Sequence, residues 1–148
     1  MLLGKAKDNN ASCAIGPFIR LFDENYSVDD MRRAHIEVRV TGTDGFRLEG
    51  ISDVSAISRD PLDLVGQATS RTNQFPDGMM LFLGTQFAPI QDRDAPGKGF
   101  THKLGDIVSI SARELGTLVN RVNHSDKVTP WTFGVTDLMT NLARRGLL

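Results

Sequence analysis

An alternation of apolar and polar residues over positions 34–41 constrains this chain more than any other feature. Ile36, Val38 and Val40 fall on one side, and His35, Glu37 and Arg39 on the other. A period of two is that of a strand with one face buried. Thr41-Gly42-Thr43-Asp44-Gly45 follows with turn chemistry, since Asp-Gly tolerates positive φ, and Phe46 and Leu48 then resume the alternation. The segment is predicted to fold as a β-hairpin.

Asp60-Pro61 has the form of an N-cap followed by a first-turn proline, with Asp63 near the positive end of the helix dipole. A helix over about 61–71 is predicted, with Leu62, Val65 and Ala68 as its buried stripe. Phe75-Pro76-Asp77-Gly78 breaks it. Residues 79–83 are continuously apolar and bounded by Gly84, the pattern of a central strand buried on both faces. Pro89, Pro96, Gly97 and Gly99 among Asp92, Arg93 and Asp94 disfavour periodic structure, so 86–103 reads as a long surface loop. Two further strands are predicted at 107–111 and 116–122, after the Leu104-Gly105-Asp106 turn and separated by Arg113-Glu114. Val135, Leu138, Met139 and Leu142 recur at helical spacing, with Arg144 and Arg145 in the last turn and Gly146 as the stop, so the C-terminal segment is predicted to be an amphipathic helix.

About five or six strands against two helices define an α+β domain that is mostly β, and exclude the alternating pattern of a Rossmann fold or barrel. No internal repeat or low-complexity tract divides the 148 residues, which read as a single domain, 1–148. Seventeen Lys plus Arg against eighteen Asp plus Glu leave a net charge of −1. That balance lacks the basic excess used to neutralise phosphates, so no nucleic-acid partner is expected. Apolar runs reach about five residues against the roughly 20 of a membrane span, so no membrane partner is expected. Lys5, Lys7 and Asp8 follow Met1-Leu2-Leu3 too closely for a secretory signal, and one cysteine excludes an intrachain disulfide. The expected compartment is a reducing cytoplasm.

Little in the sequence announces a site by itself. Cys13, His35, His102 and His124 are too widely spaced for a local zinc motif. Glu37, Asp53, Asp60, Asp92 and Asp94 are the oxygen ligands that Mg²⁺ or Ca²⁺ takes, but their spacing does not bring them together, and solvated carboxylates are the expected state. There is no Gly-x-Ser-x-Gly elbow, Walker loop or Gly-x-Gly-x-x-Gly fingerprint. Cys13, before Ala14-Ile15, reads as a small buried hydrophobe rather than a nucleophile. Two positions stand out. Lys7 lies where a polar approach gives way to the apolar turn Ala14-Ile15-Gly16-Pro17-Phe18, and Gly84-Thr85 places a small residue and a hydroxyl directly after the apolar run, where a ligand is often met. A lysine at such a boundary is usually a solvated charge, and structural packing would explain Gly84-Thr85 equally well.

At these positions the sequence resembles the C-terminal catalytic domain of the fumarylacetoacetate hydrolase family. The resemblance runs from about Gly4 to the end. It is carried by Lys7 ahead of Gly16-Pro17, by Phe82-Leu83-Gly84-Thr85, by Lys103-Leu104-Gly105-Asp106-Ile107-Val108, and by Leu115-Gly116-Thr117-Leu118-Val119-Asn120-Arg121-Val122. The loop Phe87-Ala88-Pro89-Ile90-Gln91-Asp92-Arg93-Asp94 and the ending Pro130-Trp131-Thr132-Phe133-Gly134 resemble a narrower branch, which includes dehydratases of 2-keto-3-deoxy sugar acids.

The resemblance implies a mixed β-sandwich roll and a 2-keto acid substrate, chelated by a divalent metal, usually Mg²⁺, that a Glu-x-Glu pair and nearby Asp residues hold. It implies Lys7 as the catalytic lysine beside the developing negative charge, and Gly84 and Thr85 as substrate-binding residues. The implied reaction is metal-dependent dehydration, with C–C hydrolysis of fumarylacetoacetate-like diketo acids as the alternative. In the family the metal-binding Glu-x-Glu pair precedes the lysine. Here only six residues precede Lys7, so no residue of this chain stands at the metal positions, and Ala11 stands where many members have threonine. The expectation is the C-terminal part of a longer enzyme, forming a homodimer or pairing with its missing N-terminal part; the remaining alternative is a non-catalytic fragment.

Overall fold

A computed structural model describes residues 11–84 and 87–148. The described residues divide into two compact units, 14–122 and 11–13 with 123–148.

In the larger unit the alternation at 34–41 becomes strand β1 (His35–Thr41), and the resumed alternation becomes β2 (Arg47–Asp53). They pair antiparallel with Thr41 opposite Arg47 and His35 opposite Asp53. The turn between them closes through Gly42 N–H donating to the Phe46 carbonyl at 2.8 Å, with Gly45 at φ +84°, a left-handed geometry that suits glycine. β3 (Ile107–Ala112) pairs on the other side of β1, and β4 (Gly116–Arg121) on the far side of β3, giving a four-stranded antiparallel sheet in the order β2-β1-β3-β4.

Register puts Val40 between Leu48 and Val108 on one face, and Val40 and Leu48 are each only 2% exposed. On the same face Gly50 lies opposite Val38, and the ring of Phe87 covers it so closely that a Cβ there would sit 2.2 Å from the ring. The glycine is therefore what lets the loop after residue 86 close over the sheet.

Short elements flank the sheet. Helix α1 (Val28–Arg32) starts in a capping box, with Ser27 N–H donating to the Asp30 carboxylate at 2.8 Å and Asp30 N–H to the Ser27 hydroxyl at 3.3 Å. A 3₁₀ turn (Val54–Ala56) and helix α2 (Pro61–Ala68) follow β2, and Asp60 caps α2 by accepting from Leu62 N–H at 2.9 Å. The residues between 87 and 103 form the expected loop. In the smaller unit, helix α3 (Val135–Arg144) is preceded by a 3₁₀ turn (Ser125–Lys127). It ends as the sequence predicts: Gly146 is left-handed, and Leu147 N–H and Gly146 N–H close back on the carbonyls of Leu142 and Ala143, each at 3.0 Å. No helix among the described residues is long and apolar enough to cross a membrane.

Several expectations need correction, although the α+β class stands. The described residues form four strands rather than five or six, all antiparallel rather than mixed, and three α-helices rather than two. α2 stops at Ala68 instead of 71, because Thr69 turns its hydroxyl and N–H back onto the Val65 carbonyl, each at 3.0 Å, and Ser70 pairs with Asn73. Its stripe is not buried, since Leu62 and Val65 are exposed. Cys13 is exposed, not a buried hydrophobe. The largest correction concerns residues 79–83. They form no strand, and Met80 and Phe82 are 60% and 61% exposed. A strand buried on both faces needs ladder partners and covering layers, and none of the four strands described pairs with this run.

Candidate functional site

Of the three residues predicted to form the site, Lys7 and Thr85 lie outside the described residues. Gly84 is described: it is exposed, at φ +90°, with nothing within 4 Å of where a Cβ would be. The left-handed backbone turns the chain sharply at the end of the apolar run, and a bare glycine leaves that turn open to a ligand. Leu81 and Leu83, just before it, line an apolar groove of about 220 Å³ together with Phe22, Val28, Leu62 and Val65. The predicted substrate position thus sits at the margin of a groove walled by apolar side chains.

The carboxylates weighed as ligands for a divalent cation do not fit one. Asp92 accepts from Gly97 N–H and Gly99 N–H, each at 2.7 Å, and these bonds hold its carboxyl below the usual range. Asp94 pairs with Lys103. Asp53 accepts from Ser55 and lies 3.4 Å from His35 Nδ1, while Asp60 caps α2 and receives Arg32 Nε at 2.6 Å. Glu37 lies on a shallow cleft of the exposed sheet face beside Arg39, Glu49, Ser109 and Ser111. Among the described residues no three His, Cys, Asp or Glu side chains converge to hold a metal ion. The donor set therefore does not match the Mg²⁺ site that the family resemblance implies.

What the structure does assemble is a buried ionic clasp that sequence reasoning missed. Arg93 and Asp106 are 3% and 0% exposed. Arg93 Nη1 donates to Asp106 Oδ2 at 2.6 Å and Nη2 to Oδ1 at 3.0 Å, a two-point fork. Nη2 also reaches Asp44 Oδ1 in the hairpin turn at 2.9 Å, and Nη1 reaches the Thr101 carbonyl at 3.2 Å. Lys103 N–H donates to Asp106 Oδ2 at 2.9 Å, and its ammonium bridges Asp44 and Asp94. The guanidinium lies over the Phe46 ring, 4.5 Å from its centroid, and Phe46 stacks on Phe100. Gly42 makes room, because a Cβ there would meet Arg93 Nη2 at 2.5 Å.

These contacts shift the ionisations in one direction. Hydrogen bonding to Arg93 holds the Asp106 and Asp44 carboxyls well below the usual range; the Arg93 guanidinium is held more firmly charged by Asp106, and the Lys103 ammonium by Asp94 and Asp44. Arg93, Lys103, Asp44 and Asp106 are thus each held in the charged form, as suits a structural tie. It ties the loop around Arg93 to the hairpin turn and to the start of β3. The motifs Asp92-Arg93-Asp94 and Lys103-Leu104-Gly105-Asp106 were both visible in the sequence, but nothing local said that one supplies the counter-charge of the other.

Comparison with known proteins adds one relation. No family model matches the chain, and no solved structure matches it. Over 132 residues the chain is 32% identical to a 2-dehydro-3-deoxy-D-arabinonate dehydratase of Saccharolobus solfataricus. The aligned part is 87% of this chain but spans only 40% of that relative's length.

Proposed function

We propose that this chain carries part of the active site of a dehydratase of the fumarylacetoacetate hydrolase type, acting on 2-keto-3-deoxy sugar acids. The observation that carries this reading is the similarity to a 2-dehydro-3-deoxy-D-arabinonate dehydratase along nearly the whole chain. The open left-handed turn at Gly84 supports it, because it leaves the backbone accessible at the end of the apolar run.

The chemistry asks for little from these residues and asks it at defined atoms. Dehydration of a 2-keto-3-deoxy acid removes a proton from C3, adjacent to the ketone, and expels the hydroxyl on C4 as water. Negative charge grows on the keto oxygen as the C3–H bond breaks. A lysine ammonium beside that oxygen stabilises the charge, the role assigned to Lys7. A threonine hydroxyl donating to the carboxylate fixes the orientation of C3, the role assigned to Thr85, with Gly84 letting the backbone approach. The carboxylates for a metal would come from outside the described residues.

The test is turnover of 2-dehydro-3-deoxy-D-arabinonate in Mg²⁺-containing buffer by the chain co-expressed with the part of the relative outside the match. Lys7→Ala is expected to lower kcat by about 100-fold or more, and Thr85→Ala to raise KM. Absence of turnover in the assembled protein, or an undiminished rate in Lys7→Ala, overturns the reading.

A further inference from the structure

We propose that Asp77, in the exposed turn Phe75-Pro76-Asp77-Gly78, is a site of spontaneous isoaspartate formation, and that the clasp on Arg93 shields Asp44, in the chain's other Asp-Gly pair, from the same reaction. The modification needs no enzyme and no reagent but water. It goes beyond the dehydratase reading and does not depend on turnover.

The chain carries its own control. Asp-Gly occurs at 44–45 and at 77–78, and both pairs are exposed. Their backbones match closely. Gly45 and Gly78 are left-handed at φ +84° and +87°, and each N–H donates to the carbonyl three residues back, Gly45 to Gly42 at 3.2 Å and Gly78 to Phe75 at 2.9 Å. A Cβ at either glycine would meet nothing within 4 Å, so neighbouring atoms crowd neither turn there. The carboxylates differ. Asp44 accepts from Arg93 Nη2 at 2.9 Å, from Lys103 Nζ at 3.0 Å and from Phe46 N–H at 3.1 Å. Among the described residues nothing donates to the Asp77 carboxylate or pairs with it.

That difference decides the chemistry. Isomerisation starts when the glycine nitrogen attacks the aspartate Cγ. The N–Cγ bond forms, the nitrogen loses its proton, and one carboxyl oxygen leaves as water, closing a succinimide ring. Water then opens the ring. Addition at the Cγ carbonyl restores aspartate, whereas addition at the backbone carbonyl leaves the chain running through Cβ and Cγ, with no net change in mass or oxidation state. The oxygen departs from a protonated carboxyl, and that carboxyl must swing onto the nitrogen. Asp44 is barred on both counts: hydrogen bonds from Arg93 and Lys103 hold it ionised, well below the usual range, and its three donors fix its place. Asp77 carries neither restraint.

The turn itself adds a second push. Phe75 is left-handed at φ +48° directly before Pro76, a conformation that bulky residues rarely adopt and that a following proline disfavours further. The Gly78 bond to the Phe75 carbonyl closes this strained turn, so freeing the Gly78 nitrogen for attack also releases strain. An isoaspartate here adds one atom to the main chain immediately ahead of residues 79–83 and Gly84.

The test is to age the purified full chain at neutral pH and body temperature, and to measure isoaspartate at each site by peptide mapping with an isoaspartyl methyltransferase. At least tenfold more is expected at Asp77 than at Asp44, because a carboxyl held one pH unit lower is protonated about tenfold less often near neutrality. In denaturing guanidinium, which opens the clasp, the two yields are expected to converge. Asp77→Glu, whose larger ring closes far more slowly, is expected to remove the signal at that turn. Equal yields at the two sites of the folded chain, or no isoaspartate at Asp77, overturn the proposal. So does a tenfold difference that persists in guanidinium, which would place the cause in the neighbouring sequence rather than in the clasp.

Discussion

The loop around Arg93 and the run at 79–83 lie on either side of Gly84, and the chain treats them oppositely. The loop has no periodicity and is rich in proline, glycine and charge, yet it contains the most buried ion pair described in the chain. The run is the most apolar stretch of the sequence, yet Met80, Leu81 and Phe82 are exposed. The difference lies in where the partners come from. Arg93 finds Asp106, Asp44 and the Thr101 carbonyl within the same unit, so its desolvation is offset by a full set of charge-assisted bonds. A strand buried on both faces needs neighbouring strands and two covering layers, and the four antiparallel strands described pair only with one another.

If the clasp is the anchored region, breaking it should give the largest effect. Asp106→Ala leaves a buried guanidinium without its main counter-charge and is expected to destabilise the chain by about 4 kcal/mol, read as a shift in the urea midpoint. A loss under about 1 kcal/mol would mean that Arg93 is solvated like a surface cation, and the contrast with the run would disappear. Acid sharpens the same point. Asp106 and Asp44 have folded-state ionisations depressed by hydrogen bonds from Arg93, so their contribution is fully present above the unfolded carboxylate value of about 3.9 and is lost as pH falls below it. Urea midpoints measured from pH 6 down to pH 2 are expected to fall steeply below about pH 4. Asp106→Asn is expected to start lower and fall less.

A smaller effect is expected where the loop closes over the sheet. Gly50→Ala drives a methyl into the Phe87 ring and is expected to cost about 2 kcal/mol. Adding Phe87→Ala should recover part of that loss, because the two positions share one contact and their effects are not additive. Simple additivity in urea melts would show that the loop does not rest on the sheet.

The sequence made legible whatever depends on neighbours in the chain. The hairpin turn at Gly45, the Asp60 cap of α2 and the Gly146 stop of α3 are each written within a few residues, and each forms as expected. The capping box of α1 was equally local, in Ser27-Val28-Asp29-Asp30, and was overlooked. The clasp was not legible, since Arg93 and Asp44 are far apart in the chain and carboxylates are usually solvated. Residues 79–83 failed for a complementary reason: an apolar run states that burial is wanted without stating what provides it. Of the predicted site, only Gly84 falls among the described residues, and its left-handed turn was foreshadowed by nothing more than its place after an apolar run.

The smallest expected effect is the sharpest check on the comparison. Phe82 is a large aromatic, and replacing such a residue in a packed core costs about 3–5 kcal/mol. At 61% exposure on a segment without ladder partners there is little packing to lose, so Phe82→Ser is expected to change the stability of the chain alone by less than about 0.5 kcal/mol. The relevant quantity is the difference between urea melts of the chain with Phe82 and with serine in its place. Should the isolated chain lose about 1.5 kcal/mol or more, Phe82 is packed within the chain itself and the run is not the bare region described.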